Sequence, residues 1–274
     1  MSQKFKEEVD LGLNSKPKYL SSKYFYDEIG DRLFREIMNL SEYYLTRAEF
    51  EIFQQQNNEI INALSLDPEI RFELIELGAG DGLKTKELFK GLLSGRYQFD
   101  YIPIDISQNA LDHLEQSLQE EMPTISVYPR QGEYFDVLST LKESKRKKVI
   151  LFLGSNMGNM LDEQSHDFIY QLGSNLNPGD ILFLGLDLIK SQEIVLPAYN
   201  DSAGVTRRFN LNLLNRINKE LYANFDLNAF EHIPEYSEKE GIAKSFIRSK
   251  QNQTVDIQAL DKTIYFEEGE HIFV

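Results

Sequence analysis

Three glycines at alternate positions follow an apolar run in the segment Glu76-Leu-Gly78-Ala-Gly80-Asp-Gly82. The run itself, FELIEL (72–77), reads as a short strand, and KTKELFKGLL (84–93) reads as a helix. Glycines in such a turn let the backbone reverse tightly and approach a ligand closely. Asp105 closes the next apolar run, 25 residues after Gly80, where an acidic side chain can accept hydrogen bonds from ribose hydroxyls. Together these features point to a nucleoside cofactor, with a plain strand-to-helix turn as the alternative. A dinucleotide site would open from Gly-x-Gly-x-x-Gly straight into the helix. Here the third glycine comes one residue early, and Lys84 and Thr85 begin the helix. With no Gly-Lys-Ser/Thr pair the turn is no P-loop. An adenosyl cofactor without phosphates fits better than a dinucleotide.

Three further groups could take part. Gly132-Glu133-Tyr134-Phe135 follows a third apolar run, and an acidic–aromatic pair there could hold an adenine, or be a turn with an aromatic anchor. Gly154-Ser-Asn-Met-Gly-Asn159 ends a fourth run. Small residues and amides at the carboxyl end of a central strand lie where ligands bind in open α/β sheets. Asn159 can both donate and accept, which suits a carboxylate or an amine, and it could equally cap the next helix. Tyr43, Tyr44 and Tyr199 sit in turns outside the apolar stripes, where a phenol orients a polar substrate or simply packs.

The elements that must position these residues alternate from 72 to 189. DYIPIDIS (100–107), ISVYP (125–129), KKVILFLGS (147–155) and DILFLGLDLI (180–189) are apolar nearly throughout. Continuous runs suit strands buried on both faces of a parallel sheet, and strand–helix alternation gives a βαβ series. The tetrapeptide LFLG, at 151–154 and 182–185, marks two neighbouring central strands. Residues 1–20 are polar, with KPK at 16–18, and read as a surface arm. Residues 24–63 carry a helical pattern, as do 190–235, where Phe209, Leu213, Ile217 and Leu221 share a stripe. KSFIRS, QTVDIQ and KTIYF, within 244–266, alternate as strands. The expected organisation is a core at 64–192, a smaller α+β substrate or lid domain from 1–63 and 193–265, and a return to the core beginning at 266–274.

The chain of 274 residues has a formal net charge of −15 and 41% hydrophobic residues, a globular balance. That charge repels phosphate backbones and anionic lipid, so nucleic acid and membrane surfaces are poor partners. It has no cysteine, and of its four histidines (His113, His166, His232, His271) no two stand at i, i+4, which argues against a structural zinc site. The charged N-terminus and the absence of an 18-residue apolar run leave a cytoplasmic protein as the expectation.

Taken together, these residues resemble a known family, the S-adenosylmethionine-dependent L-histidine Nα-methyltransferases of ergothioneine biosynthesis. The likeness runs through residues 17–53, ELGAGDGLKT (76–85), YIPIDIS (101–107), LFLGSNMGN (151–159), LFLGLDLIKS (182–191) and residues 198–232. It implies a class I (Rossmann-like) methyltransferase core with a mostly parallel doubly wound sheet, plus a second domain. It implies cofactor contacts at Tyr26, Gly78, Gly80, Lys84, Asp105, Glu133 and Tyr134. It implies amino-acid contacts at Tyr43, Gly154, Asn159 and Tyr199, with Tyr43 and Asn159 nearest the reacting amine, and no metal.

The chain departs from the family at Ile242-Ala-Lys244, where members carry Ile-Glu-Met with the methionine near the substrate side chain. Members also continue past FEEGEHIFV (266–274) with a Glu-x-Ser segment that grips the imidazole, then a helix and two strands. Two readings follow. One is an N-methyltransferase acting on the α-amine of an amino acid, histidine by resemblance. The other is an inactive methyltransferase-fold binding module, whose open fifth strand would need self-association or a partner chain to cover it.

Overall fold

The computed structural model describes residues 3–142, 144–160 and 162–274. Two compact units emerge, one from residues 45–187 and the other from residues 1–44 with 188–274.

The unit of residues 45–187 is built on a parallel sheet. Its main strands are β1 (Phe72–Leu77), β2 (Phe99–Asp105), β3 (Ser126–Val127), β4 (Lys148–Phe152) and β5 (Ile181–Leu184). They lie in the order β3-β2-β1-β4-β5, and Arg130–Gln131 adds to the carboxyl end of β2. Every pair is parallel. The chain winds outward from β1 in both directions, so the order reverses between β1 and β4. That reversal opens a crevice at the carboxyl ends of the strands.

Helices cover both faces, which is why the strands read as continuous apolar runs. Phe72, Leu74, Tyr101, Val149 and Leu151 pack on one face with Leu88, Phe89 and Leu92. The last three come from the helix Leu83–Ser94. Ile75, Leu77, Ile102, Ile104, Ile150 and Phe152 point the other way, against Phe168 and Leu172 of the helix Asp162–Ser174. This is the doubly wound α/β arrangement expected of the class I core.

One of the two acids in β1 is fully enclosed. Glu76 is buried, and it accepts hydrogen bonds from Thr85 Oγ1 at 2.6 Å and from the Tyr101 hydroxyl at 2.5 Å. It therefore ties the first turn of the helix Leu83–Ser94 to β2, directly behind the glycine turn. Burial pushes its carboxyl up to about 7, while the two hydroxyls and Lys84 pull it back.

The unit of residues 1–44 and 188–274 is α+β. Its sheet runs Lys18–Tyr19, His271–Phe273, Ile242–Ser249 and Phe230–Ser237 in spatial order, beside a separate hairpin of Gln253–Ile257 and Lys262–Phe266. The helices Gln3–Asn14, Glu28–Met38 and Val205–Leu221 supply Phe5, Val9, Leu33, Ile37, Leu213 and Ile217 to its core.

Several expectations change. The expected surface arm is a packed helix over Gln3–Asn14 instead: Phe5, Val9 and Leu13 fall on one helical face and are at most 1% exposed. Residues 45–63 belong with the sheet unit, because Phe53, Ile60, Ile61 and Leu64 join its core. Residues 266–274 do not begin a return to that core; His271–Phe273 pairs with Ile242–Ser249 and Lys18–Tyr19. The helical reading of 190–235 ends at Leu221, since Phe230–Ser237 is a strand. The two LFLG strands are neighbours in the sheet, but β5 stops at Leu184 and is the outer of the pair among the described residues.

Two measurements test these placements. Phe5→Ala should lower stability by about 3–5 kcal/mol, and Leu11→Ala, at 62% exposure on the same helix, by less than about 0.5 kcal/mol; equal effects would contradict the buried helix. Glu76 has a folded pKa of about 7 against an ordinary 4.5. The folded chain then holds a proton that the unfolded chain releases, so this contribution to stability is complete below 4.5 and lost as pH rises through about 7. Glu76→Gln removes the term. Its unfolding free energy relative to wild type should climb between about pH 5 and pH 8, by on the order of 3 kcal/mol in total, and a pH-independent difference would rule the linkage out.

Candidate active site

The glycine turn sits at the carboxyl end of β1. Gly78, Gly80 and Gly82 have φ of +73°, +56° and +65°, in the left-handed region that glycine enters without penalty. At Gly78 the need is also spatial: an added Cβ would lie 2.6 Å from the Tyr134 hydroxyl and 2.7 Å from Asn156 Nδ2. At Gly80 the same position opens on empty space.

Asp105 ends β2 beside this turn. Its Oδ2 accepts from the Gly80 amide at 3.1 Å and its Oδ1 from the Ser107 amide at 3.0 Å. A carboxylate at the end of this strand is the acceptor type that vicinal ribose hydroxyls require. Ser107 in turn caps the helix Gln108–Glu121 through the Ala110 amide, which fixes the end of the strand.

Glu133 is the N-cap residue of the helix Tyr134–Leu141. The Tyr134 ring stands edge-on to Phe152, 5.4 Å away, and its hydroxyl reaches the glycine turn. The side chain of Phe135 lies outside the described set.

Gly154 follows β4 with φ of +70°. Its amide donates to both carboxylate oxygens of Glu49, at 2.8 and 3.0 Å. The same carboxylate forms an ion pair with Lys84. A Cβ on Gly154 would lie 3.4 Å from Lys84 Nζ. Thus Gly78, Gly80, Lys84, Asp105, Tyr134 and Gly154 converge at the carboxyl ends of β1, β2 and β4. Asn159, by contrast, is exposed at the end of the 3-10 turn Asn156–Asn159, and it is the half-buried Asn156 that faces Gly78.

These residues fit an adenosyl group carrying an amino-acid tail. The open space over Gly80 admits a ligand against the backbone, Asp105 suits the ribose, and Lys84 supplies a cation for a carboxylate. Bound there, S-adenosylmethionine would supply an electrophilic methyl on its sulfonium.

The remaining three expected residues lie in the other unit. Tyr26, Tyr43 and Tyr199 are half-buried there. Tyr26 and Tyr43 both stand edge-on to Phe34, with ring centres 5.6 and 6.4 Å away, and Tyr43 stands edge-on to Tyr199 at 6.5 Å. Glu42, the residue before Tyr43, accepts from Ser202 Oγ at 2.9 Å, close in sequence to Tyr199. Hydrogen bonds from Ser41 and Ser202 hold its carboxyl down at about 2.

Glu49, Glu76 and Asn156 were not singled out by sequence. Glu76 has a signal, an acid next to the glycine turn inside a largely apolar strand. Asn156 lay within the flagged segment, three residues from the asparagine chosen. Glu49 had none: its partners are 35 and 105 positions away.

Sequence comparison adds the family. Residues 5–274 match the family described as histidine-specific methyltransferase, SAM-dependent. A histidine N-alpha-methyltransferase of Mycolicibacterium smegmatis is 35% identical over 99% of this chain and 83% of its own length. One of Mycobacterium tuberculosis is 34% identical over 97% of this chain and 81% of its own. Ergothioneine biosynthesis protein 1 of Schizosaccharomyces pombe is 31% identical over 86% of this chain, which corresponds to 31% of that larger protein. With the doubly wound sheet and the glycine–aspartate cradle already in place, the chain belongs to the S-adenosylmethionine-dependent, histidine-specific methyltransferase family.

Proposed function

We propose that this methyltransferase alkylates the α-amino nitrogen of histidine. The cofactor half of this reading is carried by one observation, the Asp105 carboxylate hydrogen-bonded into the Gly78–Gly82 turn. The acceptor half is supported by relatives named for that reaction, aligned over most of their length. Their names, with that of the S. pombe protein, support a place in ergothioneine biosynthesis. Among the described residues no helix is long and apolar enough to cross a membrane, which agrees with a reaction on small molecules in the cytoplasm.

Within this reading, Asp105 orients the ribose, the glycine turn lets the nucleoside lie on the backbone, and Lys84 meets the carboxylate of the cofactor's tail. Glu133 and Tyr134 border the adenine, and Tyr26 adds a contact. Tyr43, Gly154, Asn159 and Tyr199 hold the amino acid by its amine and carboxylate.

The amine must attack in its neutral form, and an amino-acid amine is mostly protonated near pH 7. A phenol oxygen at Tyr43 accepts an N–H from the amine and turns its lone pair toward the methyl carbon. Nitrogen–carbon bond formation then accompanies carbon–sulfur cleavage, the electron pair stays on sulfur, and the product ammonium gives its extra proton to solvent. Most of the rate comes from holding the two reactants in line.

Calorimetry with S-adenosylhomocysteine should show binding, and Asp105→Asn should weaken it by about 10-fold or more through loss of charge-assisted hydrogen bonds; no heat at millimolar ligand would reject the cofactor assignment. Incubated with S-adenosylmethionine and an equimolar mixture of amino acids, the enzyme should methylate histidine, with NMR placing the methyl on the α-nitrogen. Tyr43→Phe should cut kcat by about 10²-fold, the lower range for a lost proton-transfer or orienting group. Methylation of the imidazole, or of another amino acid in preference, would overturn the acceptor.

A further inference from the structure

The Glu49 carboxylate joins two groups that the proposed function uses separately. It accepts the Gly154 amide through both oxygens, at 2.8 and 3.0 Å, and pairs with the Lys84 ammonium. The contact is sheltered, with the two side chains only 15% and 21% exposed. Glu49 comes from the helix Tyr44–Gln55, Lys84 from the helix Leu83–Ser94, and Gly154 from the end of β4. Three elements thus meet on one carboxylate.

A second glycine shows that the space is shaped for it. An added Cβ on Gly185, just past β5, would lie 2.0 Å from Glu49 Oε1. The Gly185 amide donates to the Phe152 carbonyl at 2.9 Å, and the Ser155 amide donates to the Gly185 carbonyl at 3.1 Å. The bare Cα of Gly185 therefore leaves the room that the carboxylate fills.

Lysine is a flexible point charge on a four-carbon stem, and fixing it costs rotamer entropy. An anion that already orders the ammonium removes that cost from ligand binding. We infer that Glu49 is a positioning residue for the methyl-transfer site: it fixes the Gly154 backbone and locks Lys84 in the place from which it meets the cofactor. This inference rests on the cofactor assignment above. Glu49 need not touch either reactant. Its effect should appear in cofactor affinity and not in the chemical step.

The variant Glu49→Gln keeps an oxygen for the Gly154 amide and removes only the charge facing Lys84. With S-adenosylhomocysteine in calorimetry its Kd should rise about tenfold, and the KM for S-adenosylmethionine should rise with it while kcat stays within about threefold. In a Lys84→Met background the same change should alter KM by less than about threefold, because the partner is already gone. Gly185→Ala drives the carboxylate away from another element. It should show the same split between KM and kcat, and it keeps the test open if Glu49→Gln does not fold. An absence of wild-type binding would overturn the cofactor assignment and this inference with it. Wild-type binding with unchanged affinity in Glu49→Gln would overturn this inference alone. Tighter binding in Glu49→Gln would also overturn it, by showing that the carboxylate competes for Lys84. So would a fall in kcat with KM unmoved.

Discussion

A single buried carboxyl group organises the glycine turn. Glu76 stands in the central strand with no charged partner bonded to it, only the hydroxyls of Thr85 and Tyr101. A buried acid in apolar surroundings is costly unless its oxygens are satisfied. Both oxygens are satisfied here by groups from different elements, so the helix start and the second strand are fixed relative to β1. The turn between them must then close in few residues, and positive φ at Gly78, Gly80 and Gly82 is how it does so. The tightness that excludes a side chain at Gly78 also brings Tyr134 and Asn156 against the same backbone.

The two ends of the sheet carry different charge arrangements. At the amino ends, charges are paired for structure. Asp100 at the start of β2 binds Arg71 at 3.1 Å and Arg146 at 2.5 Å, and Lys148 at the start of β4 pairs with Asp180 at 3.2 Å. At the carboxyl ends, polar groups bond to the turns around the crevice, as Asp105 does to the Gly80 amide and Glu49 to the Gly154 amide and Lys84. Strand register is thus anchored at one end while the other end stays available for binding, in line with the general placement of sites in open α/β sheets.

How legible this was depended on the range of the interaction. Local signals carried the first strand, FELIEL, to the residue, and the helix after it to within one residue. They also carried Asp105, because a strand-terminal acid after a glycine turn is a pattern along the chain. The N-terminal helix was misread, because a stretch dense in lysine and glutamate hides three apolar residues spaced by four. The strand Phe230–Ser237 was missed because its burial does not alternate cleanly and Pro234 interrupts it. Glu49 was invisible, since nothing near it in sequence says which lysine or amide it will meet. Resemblance supplied Tyr26, and it implied a binding role for Tyr43 and Tyr199 where spacing favoured packing. The structure shows that they pack, with Tyr26 and Tyr43 edge-on to Phe34 and Tyr43 edge-on to Tyr199.

Burial also sets the two units on opposite responses to pH. In the unit of residues 1–44 and 188–274, burial lowers His232 to about 4, with Asp201 opposing and Arg207 assisting. The unfolded chain takes up a proton near 6.5 that the folded chain refuses until about 4, so this unit loses stability as pH falls through that window. In the sheet unit Glu76 acts the other way, losing stability as pH rises from 4.5 to about 7. The windows overlap almost completely. The two contributions therefore oppose each other across mildly acidic pH, each from a buried group that is neutral in the fold. The same physics explains why both are neutral: neither has a counter-ion bonded to it, and burial without one disfavours the charged form.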